Sequence, residues 1–147
     1  GVVHTGTVEW FEAMDKKVGE ATEFAVDGLG KLPRVDILYA HANMSADLID
    51  AAVKNGAKGI VVAGVGDGNM TTPALDALKK AAKAGVVVVR STRLPRGLVL
   101  RNNEVNDDEL GFVASGELNP PKSRVLLQLA LTKTKNPQQI QKMFYEY

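Results

Sequence analysis

Four consecutive valines, Val86-Val87-Val88-Val89, constrain this chain more than any other stretch. A β-branched run with no polar alternation leaves no face for water, so the strand it forms must be covered on both sides. A parallel sheet held between layers of helices does that. Two earlier runs follow the same pattern, Val35-Asp36-Ile37-Leu38-Tyr39-Ala40 and Gly59-Ile60-Val61-Val62-Ala63, each followed by a loop and an amphipathic segment. After the first, Ser45 is the expected N-cap, with Asp47 in the first turn, Leu48, Ile49, Ala52 and Val53 as the buried stripe, and Asn55-Gly56 as the stop. After the second, Thr72 is the expected N-cap and Pro73 the first helical residue. Leu75, Leu78 and Ala82 face inward, Asp76 is placed to pair with Lys80, and Gly85 lies just past the end.

The crossovers between such strands are expected to be right-handed. Gly111-Phe112-Val113-Ala114-Ser115 reads as a fourth, shorter strand, reached through an irregular excursion from Ser91 to Leu110. Asn119-Pro120 opens a helix with Val125, Leu126, Leu129 and Ala130 toward the core. Asn136-Pro137 opens a last one, with Ile140, Met143, Phe144 and Tyr147 at i, i+3, i+4 and i+7. The sum is an α/β, three-layer, Rossmann-like domain with a four-stranded, mainly parallel sheet over residues 33–147.

Residues 1–32 have a different texture and read as a connector. Trp10 and Phe11 stand among charged residues with weak periodicity. A short amphipathic helix over residues 8–18 fits the pattern almost as well, and Phe24-Ala25-Val26 is a short extended candidate. Gly1-Val2-Val3-His4 reads like the end of a strand already in progress, with no basic or apolar leader pattern, so the chain is expected to be the middle of a longer protein.

The 147 residues are 45% hydrophobic and 24% charged, ordinary for one globular domain with a real core. A formal net charge of +1 and the lack of any Lys/Arg block argue against nucleic-acid or membrane-surface binding. No run approaches the roughly 18 apolar residues of a membrane span. The absence of cysteine rules out disulfides and thiolate metal sites, and His4 and His41 are too few and too far apart for a His-rich metal motif.

Gly64-Val65-Gly66-Asp67-Gly68-Asn69 is where chemistry is expected. It leaves the carboxyl end of a parallel strand, the edge at which open α/β sheets hold ligands. Asn43, Ser91, Thr92 and Arg93 share that edge, and Glu104 and Asp107 can reach it from the excursion. One reading is an NADP-binding module, with Gly64-x-Gly66-x-x-Asn69 as an imperfect dinucleotide fingerprint and Arg90 or Arg93 holding a 2′-phosphate. The fit is poor, because Asn stands in the sixth position and Asp67 brings a negative charge. A second reading is a non-catalytic interaction domain in which the glycines make only a tight turn and Glu104 is a solvated carboxylate.

A third reading comes from resemblance. The stretches 63–69 (AGVGDGN), 88–93 (VVRSTR), 104–108 (EVNDD) and 111–120 (GFVASGELNP), continuing through Leu127-Gln128-Leu129-Ala130-Leu131-Thr132, together resemble the carboxyl-terminal part of bacterial type II L-asparaginases. The order is kept over about residues 24–147, with Asp67 as a departure where many members carry Asn. The resemblance implies hydrolysis of L-asparagine to L-aspartate and ammonia, often with some glutaminase activity and without metal or cofactor. It also implies a threonine nucleophile from a Thr-Gly-Gly motif and a Thr-Asp-Lys set, both in an amino-terminal domain. Neither motif is in this sequence. Thr5-Gly6-Thr7 is the nearest mimic, lacks the second glycine and is read as connector, so no catalytic residue is assigned here and the isolated chain is expected to be inactive. By the same resemblance, Asn69 and Glu104 are substrate-binding residues lent to a neighbouring subunit's active site. The whole enzyme is then expected to be a homo-oligomer, a tetramer built as a dimer of dimers, in the periplasm or secreted.

Overall fold

Every residue of the two middle apolar runs is buried, which follows from where they sit in the sheet. The computed structural model describes residues 2–4, 6–10, 19 and 22–147. Strands β1 (Val2–His4) and β2 (Thr7–Glu9) form an antiparallel pair, with Gly6 at φ 79° in the turn between them. A separate sheet contains β3 (Val35–Tyr39), β4 (Gly59–Gly64), β5 (Val87–Thr92) and β6 (Phe112–Ala114) in that spatial order, and all three pairings are parallel. The valine run therefore lies inside the sheet, as its lack of alternation requires.

Helices α1 (Asp47–Lys54), α2 (Thr72–Lys83), α3 (Asp107–Leu110), α4 (Pro120–Ala130) and α5 (Pro137–Glu146) supply the other layers. The strand period of two divides the sheet residues cleanly. Ile60, Val62, Val88 and Phe112 pack with Ile49 and Ala52 of α1 and Ala74, Leu78 and Ala81 of α2. Val35, Val61, Val87, Val89 and Val113 pack with Leu126, Leu127 and Ala130 of α4 and Ile140, Met143 and Phe144 of α5. Burying one such aliphatic side chain stabilises the fold by about 1.5–3 kcal/mol. Both faces of the sheet are thus covered by helices, giving three layers.

The two edges of the sheet are finished by side chains from the second helical layer. Gln141 is buried, and its amide accepts from Ala114 N at 2.8 Å and donates to Ala114 O at 3.1 Å, taking the place of a neighbouring strand on β6. At β3, Arg124 donates to Val35 O at 2.8 Å and Gln128 to Pro33 O at 3.1 Å.

The helix starts at Asn119 and Asn136 are as expected, each Asn Oδ1 accepting from the backbone N–H three residues on, at 3.1 and 3.0 Å. Gly85 has φ 86° just past α2. Other local details differ. Thr71, not Thr72, caps α2, because its Oγ1 accepts from Ala74 N and also donates to Met44 O at 2.7 Å, tying the helix to the loop after β3. Ser45 is not the N-cap of α1; that position is Ala46, which makes no side-chain cap bond. Asp76 pairs with Lys79 at 3.1 Å rather than with Lys80.

Leu48 and Val125 are 59% and 55% exposed. Each sits one position, about 100° of helix, before a buried residue, Ile49 in α1 and Leu126 in α4. Residues 22–30 contain turns and bends but no strand, so Phe24-Ala25-Val26 is not one. Phe24 instead packs on the α4/α5 layer, its ring 5.0 Å from that of Tyr147. Of the candidate helix at 8–18, residues 8 and 9 belong to β2 and 11–18 lie outside the described residues.

Candidate functional site

The loop after β4 closes on itself. Val65 N donates to Asn69 O and Asn69 N to Val65 O, both at 2.8 Å, so the two ends of the loop are paired like a miniature hairpin. Two of its glycines, Gly64 and Gly68, are needed for close packing. A Cβ on Gly64 would lie 2.5 Å from the carbonyl carbon of Gly68. Gly68, at φ 75°, would place a Cβ 3.0 Å from Arg90 Nη1. The loop is therefore folded down onto an arginine.

Arg90 continues the valine run of β5 and is fully buried, so its charge must be met inside the protein. It donates from Nε to Asp107 Oδ1 and from Nη2 to Asp107 Oδ2, both at 2.7 Å, a paired geometry that suits guanidinium and carboxylate. Nη1 donates to Asp67 O at 2.7 Å and Nη2 also to Leu100 O at 3.0 Å. One side chain thus joins β5, the glycine loop, the excursion and α3.

The excursion is fastened at further points. Asp67 accepts from Leu100 N through Oδ1 and from Asn103 Nδ2 through Oδ2, both at 2.6 Å. Asn102 sits at φ 59°, a left-handed conformation Asn tolerates, and its N–H donates to Asp107 Oδ2 at 2.8 Å. Its side chain pairs with Asp108, which also takes hydrogen bonds from Arg101. The Asn102 hydrogen bond first, then that of Arg101, holds the Asp108 carboxyl below the usual carboxylate range.

Asn69 and Glu104, the two expected binding residues, stand on this frame. Asn69 closes the glycine loop, two residues after Asp67, and Glu104 follows Asn103 directly. Both are exposed, and neither side chain has a hydrogen-bond partner among the described residues. Across residues 101–109 the other acids are all engaged: Asp107 with Arg90, Asp108 with Arg101 and Asn102, and Glu109 with Asn106. A rigid edge presenting one free carboxylate and one free amide can neutralise and orient a small cationic group.

The remaining candidates have other tasks. Asp107 is buried with Arg90 and does not face solvent. Ser91 Oγ donates to Leu118 O, and Thr92 Oγ1 accepts from Leu94 N. Arg90 cannot hold a 2′-phosphate, because it is buried and committed to Asp107, Asp67 and Leu100. The backbone N–H groups of Val65 and Asn69 are likewise spent within the loop, and α2 starts only at Thr72, so no helix terminus meets a phosphate at the glycines. Arg93 and Asn43 remain exposed at the same edge, and His41 is exposed on the loop after β3. Thr7 opens β2 rather than a helix, and Thr5 lies outside the described residues.

Sequence reasoning missed the Arg90–Asp107 pair, although an arginine directly continuing four buried valines was a signal that it needed a buried partner.

Comparison with known proteins shows the family of the chain. The family described as Glutaminase/Asparaginase C-terminal domain matches residues 34–144. Escherichia coli L-asparaginase 2 is 49% identical over 147 residues, which is 100% of this chain and 42% of that protein. A probable periplasmic L-asparaginase of Haemophilus influenzae is 48% identical over 147 residues, with the same shares covered. A glutaminase-asparaginase of Pseudomonas fluorescens is 38% identical over 148 residues, covering 100% of this chain and 41% of that protein. The chain therefore spans less than half the length of these relatives.

Proposed function

Because the chain belongs to the family of glutaminase and asparaginase C-terminal domains, we propose that it is the substrate-orienting part of an amidohydrolase that converts L-asparagine to L-aspartate and ammonia. Glutamine, one methylene longer, is the second substrate of the same chemistry, in keeping with the glutaminase-asparaginase relative. In this reading residues 1–32 connect to an amino-terminal domain that carries the threonine nucleophile. The domain from residue 33 onward lends Glu104 and Asn69 to the active site of a neighbouring subunit. The whole enzyme is then a homo-oligomer, a dimer of dimers, and the H. influenzae relative's name points to the periplasm.

The observation that carries the proposal is the Glu104 carboxylate, unpaired among the described residues, on an excursion where the other acids are paired. The α-ammonium of asparagine enters a pocket that must exclude bulk water for hydrolysis by a protein nucleophile, and it needs an opposite charge there. Glu104 supplies that charge, and Asn69 adds a neutral donor and acceptor to fix orientation. Fixing the substrate this way accelerates the reaction without any contact to the scissile bond.

The test is kinetic, in the full-length protein. Glu104→Ala should lower kcat/KM for asparagine by about 10- to 100-fold, the loss of a hydrogen bond to a charged group. The loss should shrink to about threefold or less for succinamate, which has the same amide and carboxylate but no α-ammonium. Equal loss on both substrates, or full activity on asparagine, would show that Glu104 is not the ammonium ligand.

A further inference from the structure

We propose that Asp67 is a positioning residue that sets the register between the two halves of the binding edge, an inference that rests on the substrate-orienting reading above. Asn69 and Glu104 are carried by different segments, the glycine loop and the excursion, and neither side chain touches the other segment through any hydrogen bond among the described residues. Arg90 and Asp107 hold the excursion at Leu100 and Asn102 before Glu104, and after Glu104 the Asp107 N–H donates to Val105 O at 3.1 Å. The residue next to Glu104 is Asn103, and its side chain is held by Asp67 at 2.6 Å. The other oxygen of the same carboxylate takes Leu100 N at 2.6 Å, so one rigid planar group fixes the excursion at two points three residues apart.

Asp67 is itself located by the chain around it. Its carbonyl accepts from Arg90 Nη1, and it lies inside the loop whose ends, Val65 and Asn69, are paired. Glu104 is therefore one residue from a point fixed to the loop, and Asn69 is two residues from that point. Removing the Asp67–Asn103 bond would cut the tie between Glu104 and the glycine loop, leaving Glu104 positioned only from the α3 side, while the buried Arg90–Asp107 pair stays untouched.

The chemistry of the bond gives a discriminating test. Asp67 accepts and the Asn103 amide donates, so Asn103→Asp sets two carboxylates against each other. The double variant Asp67→Asn/Asn103→Asp restores one donor and one acceptor with the roles exchanged, and the amide oxygen introduced at position 67 can still accept from Leu100 N. These variants and a Glu104→Gln control would be compared in the full-length protein by kcat/KM for asparagine and for succinamate, with the melting temperature followed in parallel.

The expected result is that Asn103→Asp lowers the asparagine-to-succinamate ratio of kcat/KM by about tenfold or more, and that the double variant recovers it to within about threefold. If Asn103→Asp does not fold, Asn103→Ala, which removes one hydrogen bond without repulsion, should lower the same ratio by about 3- to 10-fold. A ratio unchanged by the Asn103 variants while Glu104→Gln lowers it, or a double variant as impaired as the single, overturns the positioning role alone. A ratio unchanged by Glu104→Gln overturns the substrate-orienting reading and this inference with it.

Discussion

Arg90 shows how a single polar side chain at the end of an apolar strand can organise a site. Its guanidinium has no access to water, so its stability rests on the carboxylate of Asp107 and on two backbone carbonyls from different loops. Losing one partner leaves the other charge buried. Asp107→Ala is accordingly expected to destabilise the fold by about 3–5 kcal/mol in urea titration, with little dependence on salt because the pair is shielded from mobile ions. The double variant Arg90→Met/Asp107→Leu should recover only part of that loss, since it removes both buried charges but leaves the carbonyls of Asp67 and Leu100 and the N–H of Asn102 without these partners. A loss below about 1 kcal/mol for Asp107→Ala would mean that water reaches Arg90.

Among the elements, β6 is the most dependent on a neighbour that is not a strand. It is only three residues long and pairs with β5 on one side. On its other side Ala114 offers a buried N–H and C=O that the Gln141 amide takes, so α5 completes the sheet as well as covering it. Gln141→Leu would fill the space yet leave both backbone groups unsatisfied, which costs about 1–3 kcal/mol for each buried group. The expected destabilisation is about 2–4 kcal/mol, measured by thermal or urea unfolding. Gln138→Ala, exposed in the same helix, should change stability by no more than about 0.5 kcal/mol.

For the whole molecule, the central fact is that a complete three-layer sheet is built here while the chain covers only 42% of its E. coli and H. influenzae relatives. Two hydrophobic layers close over the sheet, and no helix among the described residues is long and apolar enough to cross a membrane. The chain has the means to fold by itself, but in the proposed reading it holds binding groups and no nucleophile. The purified 147-residue chain should therefore release no ammonia from asparagine or glutamine, while circular dichroism shows a cooperative thermal transition. Ammonia release abolished by substituting Thr5 or Thr7 would place a nucleophile in this chain after all.

Much of this architecture could be read from local pattern. The valine run, the two earlier apolar runs, the Asn-Pro helix starts and Gly85 each act over a few residues, where backbone preference and burial period suffice to choose a strand, a helix or a stop. Asn69 and Glu104 as binding residues rest on the ordered set of motifs around them and on the proposed function. What local pattern could not reach was the wiring between segments. Arg90 meets Asp107 across 17 residues and Asp67 meets Asn103 across 36, and Thr71 takes the cap from Thr72 partly because Met44 O lies within reach. The outward turn of Leu48 and Val125 was hidden for a related reason, since hydrophobic character says that a side chain favours burial but not which helix face meets the sheet. Such choices are settled by buried charges and backbone groups finding partners, and those partners come together only once the sheet has brought distant parts of the chain to one edge.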